Sequence, residues 1–217
     1  TQNISGTTLT PSAISGFGVT LTASATAGIN DGAGFRETDI GRLVRVDNPA
    51  SGVDWGWGRI VGFTSATQVA VDVKRDFGTV SATTKWRLGA WCGECGYPGA
   101  VTFQEQRLAF AGTSAQPQSF WLSQSADFEN MAPDSPDEGS GKWEGAVEDD
   151  DALDFTISAD QVNAIQWLSP GRQLFIGTVG GEWVVRSSGS AITPSDIDVK
   201  RQTTFGSAKL TPQIMRG

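Results

Sequence analysis

The stretch "QRLAFAGT" at residues 106–113 returns almost unchanged further along the chain as "RQLFIGT" at residues 172–178. Both copies fit the pattern Arg-x-x-Phe-x-Gly-Thr, and each follows an alternating apolar run that ends in an aromatic residue, "GAVTF" and "NAIQW". A tryptophan comes soon after each copy, Trp121 after the first and Trp183 after the second. An internal repeat of this kind indicates that one supersecondary unit is used twice.

Each copy of the repeat is expected to form strand, turn, strand, loop, strand. The "SPG" at 169–171 supplies a hairpin turn in the second copy, since Pro and Gly provide the restricted and the permissive backbone positions. Between the copies, residues 126–151 carry ten acidic residues and one Lys, which is typical of a loop. Without that loop the repeat is roughly 45 residues long, the size of a four-stranded propeller blade.

The first part of the chain contains short runs that alternate apolar and polar residues with turn residues between them. The runs are "GVTLTAS" at 18–24, "RLVRV" at 42–46, "WGRIVGF" at 57–63 and "QVAVDV" at 68–73. A period of two predicts strands, each with one apolar face. A sheet of this size leaves two exposed edges unless it curls closed, so we expect a small β-barrel.

The expected fold class is therefore all-β, a small β-barrel followed by a partial β-propeller of two blade-like antiparallel sheets. The expected organisation is an N-terminal extended segment (1–17), the barrel (18–91), a linker (92–97) and two blade-like repeats (98–217) with the acidic loop 126–151.

Composition and charge exclude several classes of function. The 217 residues are 38% hydrophobic with eight Trp and eleven Phe, which is enough for folded cores. The net charge is −8, with 16 Lys and Arg against 24 Asp and Glu, so no tight nucleic-acid binding is expected. No run approaches 18 apolar residues, so we expect no membrane insertion.

The pair Cys92 and Cys95 has the C-x-x-C spacing of redox and zinc sites. The chain contains no His and no further Cys, so the usual four zinc ligands cannot be assembled within it. An inert linker and a reversible disulfide remain the two interpretations. The absence of His also removes the His-dependent routes to an activated nucleophile, and we expect no enzyme activity.

The acidic stretch "EDDDALD" at 148–154 is the best candidate for a metal site. Asp149, Asp151 and Asp154 carry hard oxygen atoms of the kind that Ca²⁺ prefers. The stretch lacks the glycine that lets an EF-hand loop turn back on itself, so a solvated acidic loop is the expected structure. No catalytic, cofactor-binding or metal-binding residue is assigned from the sequence, and no cofactor is expected.

The tryptophans divide into two groups. Trp55 and Trp57 in "DWGWGR" have the same parity, so both point to one side of a strand, and an exposed pair of this kind stacks on a sugar ring. Core filling or subunit contact is the favoured interpretation of this pair. Trp121, Trp167 and Trp183 alternate with polar residues and are expected in the cores of the repeat strands.

The chain also resembles a known family over nearly its whole length. The stretches that carry the resemblance occur in order: "DIGRLVRV", "WGWGRIVGFTSATQVAVDV", "WRLGAW", "GYPGAVTFQEQRLAFAGT", "PQSFWLSQSADFENM", "DDDALDFTISADQVNAIQWL" and "GGEWVVR". They are similar to the tail nozzle proteins of short-tailed bacteriophages, also called tail tubular protein B. The closer likeness is to prophage-encoded relatives whose barrel segment is labelled an FCCH-like domain.

The resemblance implies a structural virion component without catalysis, a propeller-based subunit of a hexameric tube through which DNA leaves the phage tail. Other phage tail proteins would be its partners, and it would be made in the bacterial cytoplasm before joining the virion. Family members are longer, so the resemblance also implies that this chain is a middle portion. The alternatives are a carbohydrate- or receptor-binding module of a phage or cell surface, and a hydrolase built on a propeller.

Two blades alone leave apolar faces uncovered, lined by residues such as Phe103, Phe110, Trp167 and Phe175. Such large patches rarely stay exposed. Three outcomes are open: further sequence of a longer parent completes a ring, copies of the chain cover each other, or the blades repack into a sandwich. We expect self-association through the repeat half.

Overall fold

The computed structural model describes residues 6–47, 55–131, 147–159, 162–189, 191–210 and 212. The regular structure in this part of the chain is almost entirely antiparallel β-sheet, so the all-β prediction is confirmed. The described chain divides into two compact units that meet in sequence between Gly96 and Tyr97.

The first unit is one six-stranded antiparallel sheet with the strand order β1-β2-β5-β4-β3-β6. Its strands are β1 (Leu9–Pro11), β2 (Val19–Ala23), β3 (Leu43–Asp47), β4 (Trp55–Ser65), β5 (Gln68–Arg75) and β6 (Trp86–Leu88). The four alternating runs of the sequence are strands β2 to β5, as predicted. Two short 3₁₀ turns, Asn30–Gly32 and Glu37–Asp39, lie between β2 and β3. The segment before residue 18 supplies β1, so the sheet begins earlier than expected.

The sheet of the first unit curls into a half-barrel. Its two edges approach each other at a bridge between Leu9 on β1 and Thr83, just before β6, where each N–H donates to the other's carbonyl oxygen at 2.8 and 3.0 Å. The Trp86 indole N–H adds a hydrogen bond to the Thr7 carbonyl oxygen at 2.8 Å. Because the edges meet at this bridge rather than along a ladder, the barrel is only partly closed.

The concave side of the half-barrel holds the core of the first unit. Its buried residues are Leu9, Leu21, Ala23, Ile29, Phe35, Val44, Val46, Ile60, Val69, Val71, Phe77, Trp86 and Leu88. On β4 the core-facing positions beside the two tryptophans are Gly56 and Gly58. A Cβ atom at Gly56 would overlap the backbone of Asp76, and one at Gly58 would overlap the Val71 side chain. The glycines therefore let β5 and the segment after it pack closely behind β4.

The second unit contains two four-stranded antiparallel meanders. The first has β7 (Ala100–Gln104), β8 (Arg107–Ala111), β9 (Ser119–Leu122) and β10 (Leu153–Thr156), in that spatial order. The second has β11 (Ile165–Ser169), β12 (Leu174–Thr178), β13 (Gly181–Arg186) and β14 (Asp198–Arg201), also in sequence order. The repeated phrase lies on the second strand of each meander, and the predicted "SPG" turn joins β11 to β12.

The two meanders share one core, and they share it through the same face of the repeat. Ala109 and Ala111 of the first copy lie in that core together with Leu174 and Ile176, which are their equivalents in the second copy. Successive propeller blades are related by rotation about a central axis, so equivalent residues point the same way around the ring rather than toward each other. The two copies therefore occupy the same strand position, but their sheets do not pack against each other as two successive propeller blades would.

Polar contacts join the two meanders at one end. The Gln104 side chain donates to the Gly171 carbonyl oxygen at 3.1 Å and accepts from the Gly171 N–H at 3.2 Å. The Ile192 N–H donates to the Glu105 carboxylate at 2.9 Å. The Gln104 bonds hold the end of β7 against the turn before β12, and the Glu105 bond holds the turn after β7 against the loop between β13 and β14.

The opposite faces of the two meanders carry apolar residues that are exposed in part. Phe103 is 60% exposed on the first, where it packs edge-on against Phe128 at 5.2 Å between ring centroids. Phe175 is 42% exposed on the second, while Phe110 and Trp167 are partly buried. Pairing of the inner faces within one chain thus accounts for one apolar surface of each meander, while the other is exposed in part, since Trp121 and Val184 on the outer faces are buried.

Candidate functional site

The C-x-x-C segment forms a disulfide between Cys92 and Cys95. Cys92 is buried, and its sulfur accepts a hydrogen bond from the Cys95 N–H at 2.9 Å. The Gly96 N–H donates to the Cys92 carbonyl oxygen at 2.8 Å and closes a tight turn. Of the two interpretations of this segment, the structure contains the bonded pair.

Glu94 fixes the disulfide turn to the 3₁₀ turn that starts after Arg36. Its carboxylate pairs with the Arg36 guanidinium and accepts from the Thr38 hydroxyl at 3.3 Å. The Gly93 N–H donates to the Thr38 carbonyl oxygen at 3.1 Å. The hydrogen bond from Arg36, with its charge, lowers the pKa of Glu94 below the ordinary value.

A buried ion pair lies in the same unit. Asp39 and Arg42 are paired at 2.8 Å, and Arg42 also donates to the Asn30 side chain at 2.7 Å and to the Gly89 carbonyl oxygen at 2.6 Å. Asp39 accepts further bonds from the Asn30 amide at 2.7 Å and from the Arg36 N–H at 2.9 Å. Because a buried charge is tolerated when it is paired and hydrogen-bonded, this network acts as structure.

The acidic stretch after residue 147 is organised by Arg107, which is only 3% exposed. Its guanidinium donates to the carbonyl oxygens of Asp149 at 2.6 Å, Asp151 at 2.6 Å and Ser123 at 2.8 Å. Burial lowers the pKa of Arg107, and the nearby carboxylates, Asp150 first, offset part of that effect.

The three candidate calcium ligands do not converge. Asp149 accepts from the Ser195 hydroxyl at 2.6 Å, Asp151 is buried and accepts from the Glu148 N–H at 2.9 Å, and Asp154 lies opposite Trp121 on β10. The prediction of a solvated acidic loop is wrong for Asp151. Within the described residues, no three His, Cys, Asp or Glu side chains are placed to hold a metal ion. Residues 132–146 of the predicted loop lie outside the described part.

The three repeat tryptophans have different surroundings. Trp183 lies in the shared core, as predicted. Trp121 is buried on the opposite face of its sheet, beside Phe110 on β8 and Asp154 on β10. Trp167 also lies on the outer face of its sheet, with its ring directly over Gly177, where any Cβ atom would overlap it.

A small cavity of about 110 Å³ lies in the second unit. Glu105, Arg172, Arg186 and Ile192 are among its lining residues. Arg186 is already paired with Asp198 at 3.0 Å, and Glu105 with the Ile192 N–H. Two of the charged groups that line the cavity, Arg186 and Glu105, are therefore already engaged in contacts within the chain.

The outer face of the half-barrel carries Trp55 and Trp57 on the same side of β4, as predicted. They differ in exposure: Trp57 is 39% exposed, whereas Trp55 is 9% exposed. The Arg45 guanidinium covers Trp55 at 4.4 Å from the ring centroid. The expected exposed pair is therefore one exposed indole beside one that an arginine covers.

Strand pairing places a further arginine on this face. Arg45 on β3 is opposite both Trp57 on β4 and Arg87 on β6. Directly opposed residues of antiparallel strands point to the same face, so Arg87, Arg45 and Trp57 form one row across three strands. Arg75 on β5 also pairs with Trp57, but at a register shift that interrupts the alternation of side chains. The sequence reasoning missed this row because its members come from separate runs. The sequence did contain evidence for it: in "RLVRV" and "WRL" an arginine alternates with buried apolar residues, so its side chain points away from the core.

Comparison of the sequence with models of known protein families finds no match, and comparison with curated proteins finds no similar sequence. No helix among the described residues is both long and apolar enough to cross a membrane.

Proposed function

We propose that this chain is a structural component of a phage or prophage virion, a tail nozzle-type subunit that acts by shape and assembly without catalysis. The observation that carries the proposal is the second unit, whose two meanders pack through their inner faces and keep apolar outer faces. The resemblance of the sequence to tail nozzle proteins supplies the kind of assembly.

The outer faces favour a protein that works as part of a larger β structure. Phe103 on one meander and Phe175 on the other are exposed, although large apolar side chains are usually buried or lie in contact surfaces. Each meander has the strand number and order of a propeller blade. We propose that other copies of the chain, or other tail proteins, cover the exposed parts of these faces.

The charge of the chain suits a channel through which DNA passes. A net charge of −8 repels phosphates at close range, although physiological salt screens the repulsion beyond about 8 Å. We expect no measurable binding of duplex DNA at physiological ionic strength in a fluorescence anisotropy titration. Micromolar affinity that falls steeply with salt would contradict the non-adhesive lumen.

The proposal is tested on particles from a bacterium that carries the gene. Prophage induction followed by density-gradient purification should yield particles that contain this sequence in several copies, measured by quantitative mass spectrometry. Deletion of the gene should yield particles with incomplete tails in electron micrographs. A protein that stays absent from purified particles, with tails unaffected by the deletion, would overturn the proposal.

A further inference from the structure

The disulfide of the first unit closes a very short loop. Cys92 and Cys95 are three positions apart, and the chain contains no further cysteine with which either could exchange. In the chain-entropy account, a disulfide stabilises a fold less the shorter the loop that it closes. The residues of the core cluster of this unit do not include either cysteine. The bond is therefore one that can break while the half-barrel stays folded, as a reversible site requires.

The two sulfur atoms of the disulfide differ in access. Cys92 is 1% exposed, whereas Cys95 is half-buried. Gly93 and Glu94, which lie between them, are both exposed, so the turn faces solvent. In thiol–disulfide exchange an incoming thiolate attacks the sulfur atom that it can reach. The geometry thus makes the Cys95 sulfur the point of attack and the Cys92 sulfur the leaving group.

A backbone donor stabilises the sulfur that leaves. The Cys95 N–H donates to the Cys92 sulfur at 2.9 Å. A hydrogen bond to a thiolate favours the charged form, and a better-stabilised thiolate leaves faster. Cys95 therefore carries the attacked sulfur and also the N–H group that holds the sulfur it releases.

Opening the disulfide changes how the turn is attached to the rest of the unit. The Gly93 N–H donates to the Thr38 carbonyl oxygen at 3.1 Å, and the Glu94 carboxylate contacts Arg36 and the Thr38 hydroxyl. Two sulfur atoms that are no longer bonded move apart to a van der Waals contact. Because Cys92 is enclosed, Cys95 is the residue that moves outward. Gly93 and Glu94 lie between the two cysteines, so their contacts with Thr38 change with it.

We propose that the Cys92–Cys95 pair is a site of reversible thiol–disulfide exchange with an external dithiol. A thiolate of the dithiol attacks the Cys95 sulfur, forms a mixed disulfide there and releases Cys92 as a thiolate. The second thiolate of the dithiol then attacks its own sulfur in the mixed disulfide and releases Cys95. Two electrons pass to the pair, the dithiol leaves as a disulfide, and both cysteines take up protons from solvent.

The exchange makes the attachment of the turn respond to its surroundings. A reducing cytoplasm keeps such a pair as two thiols, and an oxidising medium closes it. The site lies in the first unit, so it depends neither on assembly through the second unit nor on a role in a virion.

The first test reduces the full chain with dithiothreitol in buffer without denaturant and reoxidises it with glutathione disulfide. Alkylation followed by intact-mass spectrometry should show complete reduction and complete recovery, and circular dichroism should show a cooperative melt in both states. The Gly93 amide resonance should move on reduction and return on reoxidation. Reduction that needs urea, loss of the cooperative melt in the reduced chain, or an unchanged Gly93 resonance would each overturn the proposal.

The second test separates the two sulfur atoms with a matched pair of variants. In Cys92→Ser, the Cys95 thiol should form a mixed disulfide with glutathione disulfide, detected by intact mass. In Cys95→Ser, the buried Cys92 should react at least about tenfold more slowly, since exchange requires access. If Cys92→Ser lowers the melting temperature, Cys92→Ala takes its place, because it puts no hydroxyl group in the buried position. Equal rates in the two folded variants, or faster reaction of Cys92, would refute Cys95 as the attacked sulfur.

Discussion

Arg107 and Arg172 occupy the same position of the repeat but have opposite roles. Arg107 is buried and donates to the carbonyl oxygens around Asp151, whereas Arg172 is exposed at the rim of the small cavity. Arg107→Ala would leave several buried carbonyl groups without a donor, each costing about 1–3 kcal/mol. We expect the free energy of unfolding to fall by about 3 kcal/mol in urea denaturation.

Arg172→Ala is the control for that substitution, because it removes the same side chain from the equivalent position of the repeat, in the turn before β12. A surface substitution of this kind changes stability by no more than about 0.5 kcal/mol. If both variants lost the same stability, the carbonyl contacts of Arg107 would not be the cause.

The repeated phrase requires a glycine at position 177 for a steric reason. On β12 a Cβ atom at Gly177 would overlap the Trp167 ring. Gly177→Ala should force the indole to move and destabilise the second unit by about 1–3 kcal/mol, as overpacking does. Gly62→Ala on β4 is the matched control, since its Cβ would lie 3.4 Å from the Ala70 side chain. Thermal melts of the two variants should differ clearly, and equal melting temperatures would contradict the overlap.

At the scale of the element, alternation along the sequence was enough to find strands β2 to β5 and the two hairpins of the repeat. It could not tell which face of the repeat turns inward. Phe110 and Phe175 make the more hydrophobic-looking face, yet Ala109, Ala111 and Ile176 are the ones in the core. The choice depends on how the two sheets meet, which is a property of the pair and not of either strand.

The disulfide turn is an element whose attachment depends on pH. Arg36 lowers the pKa of Glu94, so the ion pair contributes fully above the ordinary Glu pKa of about 4.3 and is lost as pH falls through the lowered value. Below that value the turn should separate from Thr38. The Gly93 amide resonance, followed by NMR from pH 6 to pH 2, should report one acidic transition.

Glu94→Gln is the control for the transition, because an amide keeps the shape of the side chain and does not titrate in this range. The Gly93 resonance should then stay constant with pH, apart from any effect of global unfolding measured by circular dichroism. A transition that persists in this variant would assign the change to another carboxylate.

At the scale of the whole molecule, the net charge does not show how the charges are distributed over the surface. A net charge of −8 concealed Arg45 and Arg87, which the pairing of β3 with β6 places side by side on one face. Strand order is set by long-range pairing, so residues from separate runs meet in ways that local sequence does not encode. The acidic stretch gave the opposite error, since Asp151 is buried beside Arg107 and not solvated.

We predict that the second unit mediates self-association of the chain. Its outer faces expose Phe103 and Phe175, and burying a phenylalanine side chain stabilises an association by about 1.5–3 kcal/mol. We expect multi-angle light scattering to show oligomers whose mass rises with concentration.

Phe103→Glu should shift the distribution of oligomers toward the monomer, because a charge on this sheet face would have to be desolvated at the interface. Phe205→Glu should have no such effect: Phe205 is 93% exposed but lies outside the strands. A strict monomer at high concentration, with a cooperative melt, would mean that pairing of the inner faces within one chain is all the covering that this unit requires.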